Sequence, residues 1–312
     1  MNKLPPQKPI PAKPLWLVRL TACVAATLLV GLGGVWMAAP ELTLTTGEGI
    51  FLYLVGFGAA TIANSSGVGG GVVFLPAFEY LSNGGHVAVA LSQIVGMSFV
   101  IQSFGMTTGS LRWLSRIFDH AHTDTGIPPH TFWRLLALVV GCSVPALLAT
   151  QALHTSPPEF VLYTFKATSV GLGLLVLITT YLAHGRITER STPTPMDYSV
   201  LAALSLVGGV ATAFFSVGVG ELVALYMFMR SFPLITTAAI AVIASAINVI
   251  AGVWTHLHGA PLPWDVLLFV IPGAITGGYF ARHFAYMLGP IRLKVFAAIW
   301  ITLSSTYLLL MS

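Results

Sequence analysis

Long, uninterrupted apolar segments limit how this chain can fold more than any other feature. They lie at residues 15–39, 46–82, 86–109, 131–153, 160–183, 198–230, 232–254, 263–288 and 293–311. Only 8% of the 312 residues are charged and 56% are hydrophobic, whereas soluble domains carry about 25% charged residues. Such a chain cannot cover a water-exposed surface, so the sequence predicts an all-α polytopic membrane protein.

Two of these segments are too long for a single straight membrane-spanning helix. Segments 46–82 and 198–230 contain 37 and 33 residues, whereas about 20 residues cross the hydrocarbon core. Glycine-rich runs interrupt both segments, at residues 66–71 (SGVGGG) and at residues 216–221 (SVGVGE). Each segment is therefore either one broken span or a hairpin that returns to its starting side.

The distribution of positive charge favours hairpins, because Lys and Arg concentrate in cytoplasmic loops. With a cytoplasmic N-terminus, two hairpins place 13 of the 14 Lys and Arg near the cytoplasm, with Lys166 as the exception, whereas single spans leave six outside. Three spans follow each hairpin, and the two hairpins enter from opposite sides. The prediction is an inverted repeat of a broken-helix hairpin plus three spans, about 9–11 membrane segments in all. It places the protein in the cytoplasmic (inner) membrane, with the C-terminus outside.

This topology divides the chain into four parts. Residues 1–14 are a disordered basic tail, residues 15–45 an extra first span, residues 46–190 the first repeat and residues 191–312 the second, inverted repeat. Paired glycine-interrupted segments in opposed halves are typical of the midplane site of a secondary transporter. Glycine also permits close helix packing, so one such run alone would not indicate a site.

Two short matches support the repeat. The run Gly67-Val-Gly-Gly matches Gly218-Val-Gly-Glu at an offset of 151 residues. In the spans that follow the hairpins, Gln102 and Asn248 stand three and four residues before a glycine. We expect these two amides to be partners across the pseudo-two-fold axis.

The first glycine run also resembles a known family. The stretch Gly67-Val-Gly-Gly-Gly-Val-Val-Phe-Leu-Pro76 resembles the glycine-rich motif of the TauE/SafE family of sulfite exporter-like permeases. Residues 264–278, with Trp264-Asp265 and a later Pro-Gly-Ala, resemble that family's C-terminal part. The resemblance covers about residues 46–312. It implies transport of a small organosulfur anion, such as sulfite or a sulfonate, coupled to protons.

The two interrupted loops supply the candidate substrate site. A helix that begins after such a loop directs free N–H groups and its positive dipole end at the loop, which suits an oxyanion. Glycine lets a ligand approach that backbone closely. The candidate substrate-binding residues are Asn64, Ser65, Ser66, Gly67, Gly69, Gly70, Gly71, Gln102, Ser216, Gly218, Gly220 and Asn248. The alternative is that the polar members only cap helix ends or join helices.

Glu221 is the candidate for proton coupling. It stands in the second loop where Gly70 stands in the first, and its neighbours are apolar. A carboxylate placed in lipid costs about 2.5–3.5 kcal/mol on insertion scales. It is therefore expected to be paired, hydrated or protonated. The alternative is an acidic cap in the first turn of the following helix, where the helix dipole favours negative charge.

Other classes of function find little support in the sequence. It contains neither an ATP-binding GxxxxGK[ST] loop nor an HExxH motif, so no cofactor, metal or catalytic residue is predicted, and the same observations argue against an intramembrane enzyme. The basic residues alternate with apolar runs and do not form a nucleic-acid surface. An anion channel and a carrier of another small anion remain as alternatives. The expected partners are a small anionic substrate and the lipid bilayer, and a homo-oligomer is left open.

Overall fold

The computed structural model describes residues 14–39, 44–67, 91–118, 127–153, 190–258 and 261–310, with isolated positions at 74, 78 and between 167 and 178. The helices are α1 (Leu15–Ala38), α2 (Thr46–Ser66), α3 (Leu91–Ile117), α4 (Pro129–Leu153), α5 (Pro195–Phe215), α6 (Val219–Met229), α7 (Leu234–Leu257) and α8 (Trp264–Leu310). Seven of them are long and apolar enough to cross a membrane, and α6 is the short exception. The prediction of an all-α polytopic membrane protein is confirmed.

The 47-residue α8 is not one straight rod. Gly289 has φ 73° and ψ 170°, which is not a helical conformation. The ring centroids of Phe284 and Phe296 lie 5.9 Å apart, whereas a straight helix would separate their backbones by about 18 Å. The chain therefore turns back at Gly289, and α8 consists of a first arm up to Gly289 and a second arm over 290–310.

The second long apolar segment is a hairpin, as predicted. Ser216, just after α5, has φ 57° and interrupts the helix. A Cβ atom on Gly208 would lie 2.8 Å from Cα of Val219 at the start of α6. At the other end of α6, Nε of Arg230 lies 2.8 Å from Oδ1 of Asp197, in the first turn of α5. Helix α6 therefore runs antiparallel along α5 and returns to the side where α5 begins.

Hydrogen bonds to Asp197 stabilise the base of this hairpin. Its side chain is fully buried. It accepts hydrogen bonds from the Tyr226 hydroxyl at 2.7 Å and from Arg230 at 2.8 Å, and it caps α5 by accepting from the Thr194 backbone N–H at 2.7 Å. The hydrogen bond to Asp197 raises the pKa of Arg230 above its already high ordinary value.

Helix α2 and the first arm of α8 run in the same direction and pack tightly. A Cβ on Gly49 would meet the Phe269 ring at 2.7 Å, and a Cβ on Gly277 would meet the carbonyl oxygen of Phe57 at 2.3 Å. Residue numbers therefore increase together along the two helices. Glycine at these contacts lets the backbones approach, as is common between membrane helices.

Helix α3 is parallel to the same arm of α8. A Cβ on Gly105 would lie 3.2 Å from that of Ala274, and Arg282 donates to the carbonyl oxygen of Arg112 at 3.0 Å. Helices α2 and α3 therefore point the same way, so the chain has returned to its starting side when α3 begins. This is the course that a hairpin over the first long segment predicts.

Helices α4, α5 and α7 run the opposite way. Asn248 on α7 donates to Ser143 on α4, and Gln151, further along α4, donates to the carbonyl oxygen of Gly252. Helices α4 and α7 are therefore parallel. Helix α7 is antiparallel to α3, because its end contacts the start of α3. Helix α6 joins α7 through residues 230–233 and doubles back on it, which makes α5 parallel to α7.

The starts and ends of α2 and α5 show which residues of the two halves correspond. Both helices have 21 residues, and both begin with a capping box, Thr45 with Glu48 and Thr194 with Asp197. Both end in a left-handed residue, Gly67 and Ser216. Corresponding residues of the two halves are therefore 149 positions apart in the sequence. This corrects the expected offset of 151, which paired Gly67 with Gly218. The helix directions have the pattern that an inverted repeat predicts, whereas the repeat boundaries at 46–190 and 191–312 stay a prediction.

Positive charge collects at one end of the bundle, which we call the basic end. Helices α4, α5 and α7 begin there and α3 and α6 end there, and the Trp16 ring at the start of α1 lies 5.0 Å from that of Phe118. The described Lys and Arg all lie toward this end: Arg19, Arg112, Arg116, Arg134, Arg190, Arg230, Arg282, Arg292 and Lys294.

Candidate functional site

The first tip, at Gly67, and the second tip, at residues 216–220, meet inside the bundle. A Cβ on Gly220 would lie 2.5 Å from the carbonyl oxygen of Gly67 and 2.2 Å from Oγ of Ser245. A Cβ on Gly67 would lie 2.5 Å from Cβ of Ala241. Because Ala241 and Ser245 occupy the middle of the 24-residue α7, the tips meet at about half the height of the bundle.

Glycine is needed at the tips for its backbone as well as for its size. Gly67 has φ 78° and Gly218 has φ 154°, values that residues with a side chain rarely adopt. A Cβ on Gly218 would also lie 2.6 Å from the carbonyl oxygen of Gly208. Three predicted site residues, Gly67, Gly218 and Gly220, therefore shape the meeting point.

Gln102, in the first half of the chain, forms hydrogen bonds with the second tip. Its amide Nε2 lies 2.7 Å from Oγ and 3.0 Å from the carbonyl oxygen of Ser216, and 2.8 Å from Oγ of Ser98. The amide is buried, with 2% of the residue exposed. The structure thus brings together Gln102 and Ser216, two residues predicted independently for the site.

The last turn of α2 carries Asn64, Ser65 and Ser66, all of them buried. The hydroxyls of Ser65 and Ser66 donate to the carbonyl oxygen of Ile62 at 2.8 and 3.0 Å. In this conformation the two serines stabilise the helix end, as the capping alternative predicts. Gly69, Gly70 and Gly71 lie outside the described residues.

Asn64 differs from the two serines that follow it. Its Nδ2 donates to the carbonyl oxygen of Ala60 at 2.8 Å, and its buried Oδ1 accepts no hydrogen bond from the described residues. Asn64 and Gln102 line one small pocket beside Gly105 and Met106. The pocket is too tight to admit water in this conformation. An unsatisfied buried amide oxygen is unfavourable, so this acceptor lacks the hydrogen bond that most buried polar atoms have.

Asn248 and Gln102 bond to different helices, so each amide joins two helices, as the alternative given above predicts. Asn248 donates to Oγ of Ser143 on α4 and to the carbonyl oxygen of Ala244, at 2.8 and 2.9 Å. Gln102 bonds to the second tip instead.

Comparison with known proteins finds one matching protein family. The family model described as Sulfite exporter TauE/SafE matches residues 52–308. The chain belongs to the TauE/SafE family. No significant match is found among curated proteins or among solved structures. The family is one of membrane transporters, so this TauE/SafE chain is a multi-pass membrane protein with a transport role.

In this TauE/SafE protein Glu221 is the third residue of α6 and is fully buried. It follows Gly220, which abuts the first tip. The Val219 N–H at the start of α6 already has a partner, since it donates to Oγ1 of Thr212 at 3.3 Å. The position fits both roles given to Glu221 above, because an acidic cap and a proton carrier would each stand at this helix start.

Several polar neighbours of the tips are not among the candidate site residues chosen from the sequence. They are Ser98, Thr212 and Ser245, with Ser143 beside Asn248. Each is a single hydroxyl in an apolar helix, where most such groups bond to their own backbone. Ser98 and Ser245 could have been found from the sequence, because they stand four residues before Gln102 and three residues before Asn248, each on the same helix face as its amide. Among the described residues no group of three potential metal ligands occurs.

Proposed function

We propose that this TauE/SafE protein is a proton-coupled secondary transporter of a small organosulfur anion, such as sulfite or a sulfonate. The observation that carries the proposal is the contact of the two tips, Gly67 and Gly220, at half height between helices of opposite direction. Transporters built from inverted repeats bind substrate where broken helices of the two halves meet.

The proposed substrate site lies at this contact. Helix α6 begins there, and its first turn offers backbone N–H groups and the positive dipole end to an anion. Asn64, Ser65, Ser66, Gln102 and Ser216 provide side-chain donors once the serines release their backbone partner. We propose that Gly69–Gly71 and Asn248 also belong to the substrate site. Because Gly67 and Gly220 abut, an anion could pass between these two residues only if the tips separate.

Proton coupling is proposed to run through Glu221. An anion bound at the start of α6 would lie close to this carboxylate, and two negative charges in a low-dielectric site repel each other. Protonation of Glu221 removes the repulsion, so proton and anion would bind together. Linkage makes this effect reciprocal: the anion would strengthen proton binding by the same factor.

The proposed location is the cytoplasmic membrane, with the basic end and the N-terminus facing the cytoplasm. The concentration of described Lys and Arg at that end supports this orientation. The C-terminus would then face outward. No catalytic role is proposed for any residue.

The test is anion flux into proteoliposomes that contain the purified protein. A proton gradient should drive accumulation of labelled sulfite above its external concentration, with saturable kinetics. Flux that saturates but never exceeds equilibrium would favour uncoupled transport, and linear flux would favour a channel. A thermal-shift screen with sulfite, sulfoacetate, taurine and acetate would identify the substrate class, because a ligand that binds the native state raises its stability.

A further inference from the structure

Three arginines lie together near the basic end. Arg112 and Arg116 are one turn apart on α3, and Arg282 lies on the facing side of α8. Arg282 Nη1 donates to the carbonyl oxygen of Arg112 at 3.0 Å and to Oγ of Ser115 at 3.3 Å. None of the three guanidinium groups forms a salt bridge with any carboxylate in the described part of the chain. The cluster is thus a concentration of positive charge without a protein counter-ion among these residues.

Two tyrosines of α8 flank the cluster. The guanidinium carbon of Arg112 lies 4.0 Å from the ring centroid of Tyr279. Arg116 Nε donates to the hydroxyl of Tyr286 at 2.7 Å. The two tyrosines are 57% and 43% exposed. The cluster therefore borders a face of the bundle that is open to its surroundings.

Two donors within the cluster are buried and unsatisfied. Nε of Arg112 and Nη1 of Arg116 are shielded from solvent and have no acceptor among the described residues. A buried charged donor without an acceptor is strongly unfavourable. The planar fork of a guanidinium matches the oxygens of a phosphate or a similar oxyanion. One bound oxyanion would both accept these hydrogen bonds and offset the repulsion between like charges.

We propose that Arg112, Arg116 and Arg282 form a phosphate-type oxyanion site, distinct from the meeting point of the tips. Its occupant is proposed to be the phosphate of an anionic phospholipid headgroup, because the site borders an exposed aromatic face at the basic end. Basic pockets between membrane helices on the cytoplasmic side suit such headgroups, and tyrosines favour the same depth. A free phosphate ion presents the same chemistry, so the experiment has to separate the two sources.

The test uses the full-length protein purified in an uncharged detergent. It is titrated with dioctanoyl phosphatidylglycerol, with zwitterionic dioctanoyl phosphatidylcholine and with inorganic phosphate. Binding is read from the thermal-unfolding midpoint and from adduct masses in native mass spectrometry. Phosphatidylglycerol should bind about tenfold or more tightly than phosphatidylcholine. Both lipids carry the phosphate, but the three arginines repel the choline cation of phosphatidylcholine, whereas the glycerol headgroup leaves the negative charge of the phosphate uncompensated.

Variants locate the binding. Arg112→Gln and Arg116→Gln should each weaken phosphatidylglycerol binding by about tenfold or more, and Arg116→Lys should retain part of it because the charge remains. The matched control is Arg134→Gln, which removes an exposed arginine from the same end and should change binding by less than about twofold. Size-exclusion profiles show whether each variant is folded.

Each outcome of the experiment either supports or contradicts the proposal. Phosphatidylglycerol binding that depends on Arg112 and Arg116 supports the site and assigns a lipid to it. Binding of inorganic phosphate alone, with the same dependence, supports the site and assigns a free anion. The proposal is wrong if the wild-type protein prefers neither anion over phosphatidylcholine, a comparison that needs no variant. It is also wrong if Arg112→Gln and Arg116→Gln bind as tightly as Arg134→Gln.

Discussion

Gly220→Ala tests the contact between the two tips. Gly220 lies in α6 with an ordinary helical φ, so alanine is compatible with its backbone and only the space around Cβ opposes it. That Cβ would lie 2.2 Å from Oγ of Ser245, 2.5 Å from the carbonyl oxygen of Gly67 and 3.2 Å from that of Ala241. The serine hydroxyl can rotate away, but the two carbonyl groups belong to the backbone.

The expected cost follows from these distances. Forcing extra atoms into a packed site costs about 1–3 kcal/mol, and the two backbone contacts place Gly220→Ala in the upper part of that range, at about 2–3 kcal/mol. The unfolding equilibrium would then shift by about 30- to 150-fold. Adding Ser245→Ala should recover only part of the loss, because the contact with Gly67 remains. Sulfite transport should fall, since the tips cannot close.

Gly141→Ala is the matched control. This glycine lies within α4, and nothing would lie within 4 Å of an added Cβ. Alanine is favoured over glycine in a helix by about 1 kcal/mol, so the control should be as stable as the wild type or more stable. The assay is equilibrium unfolding in mixed micelles of mild detergent and dodecyl sulfate, with proteoliposome uptake in parallel. If Gly220→Ala is as stable and as active as Gly141→Ala, the tips do not abut and the reasoning is refuted.

Three further predictions concern coupling, the hairpin base and the orientation. Glu221→Gln should still bind sulfite, with a weaker dependence on pH, but should fail to accumulate it in a proton gradient; full accumulation would make Glu221 only a helix cap. Asp197→Asn should lower the free energy of unfolding by about 2–3 kcal/mol, because the buried carboxylate bonds to a cation. The corresponding Glu48→Gln in the cap of α2 should cost only about 1 kcal/mol, and equal losses would contradict the special role of the second hairpin base. In a cysteine-free background, Thr192→Cys should react with an impermeant maleimide only when the cytoplasmic side is accessible, and labelling of intact cells would reverse the proposed orientation.

The hairpin topology could be predicted from the sequence because Lys and Arg in a loop indicate the side of the membrane on which the loop lies. The sides of successive loops then fix whether the segment between them crosses the membrane or doubles back. Placing Arg230 on the same side as the residues before α5 required the segment between them to double back. The structure confirms this through the Arg230–Asp197 ion pair. The capping box Thr194-x-x-Asp197 is visible in the sequence, but the use of Asp197 as an anchor for α6 is not, since that contact depends on how the hairpin folds.

The candidate site could be predicted only in part. Glycine runs mark where two helices are interrupted, so Gly67, Gly218 and Gly220 were found. They do not show which helix from the other half lies beside each tip, and the bond from Gln102 to Ser216 therefore could not be foreseen. For the same reason, the sequence could not show that Gln102 and Asn248 bond to different helices.

The most direct test of the central claim, that the meeting point of the tips is the transport site, is to locate a bound substrate analogue. Selenite has the shape and charge of sulfite, and its selenium gives an anomalous diffraction signal in crystals of the protein. We predict an anomalous peak between Gly67 and the start of α6, within hydrogen-bond distance, about 3 Å, of the first backbone N–H groups of that helix, with the tips moved apart to admit it. The account would be contradicted by a peak confined to the arginines at the basic end. It would also be contradicted if crystals saturated with selenite showed no peak between the tips.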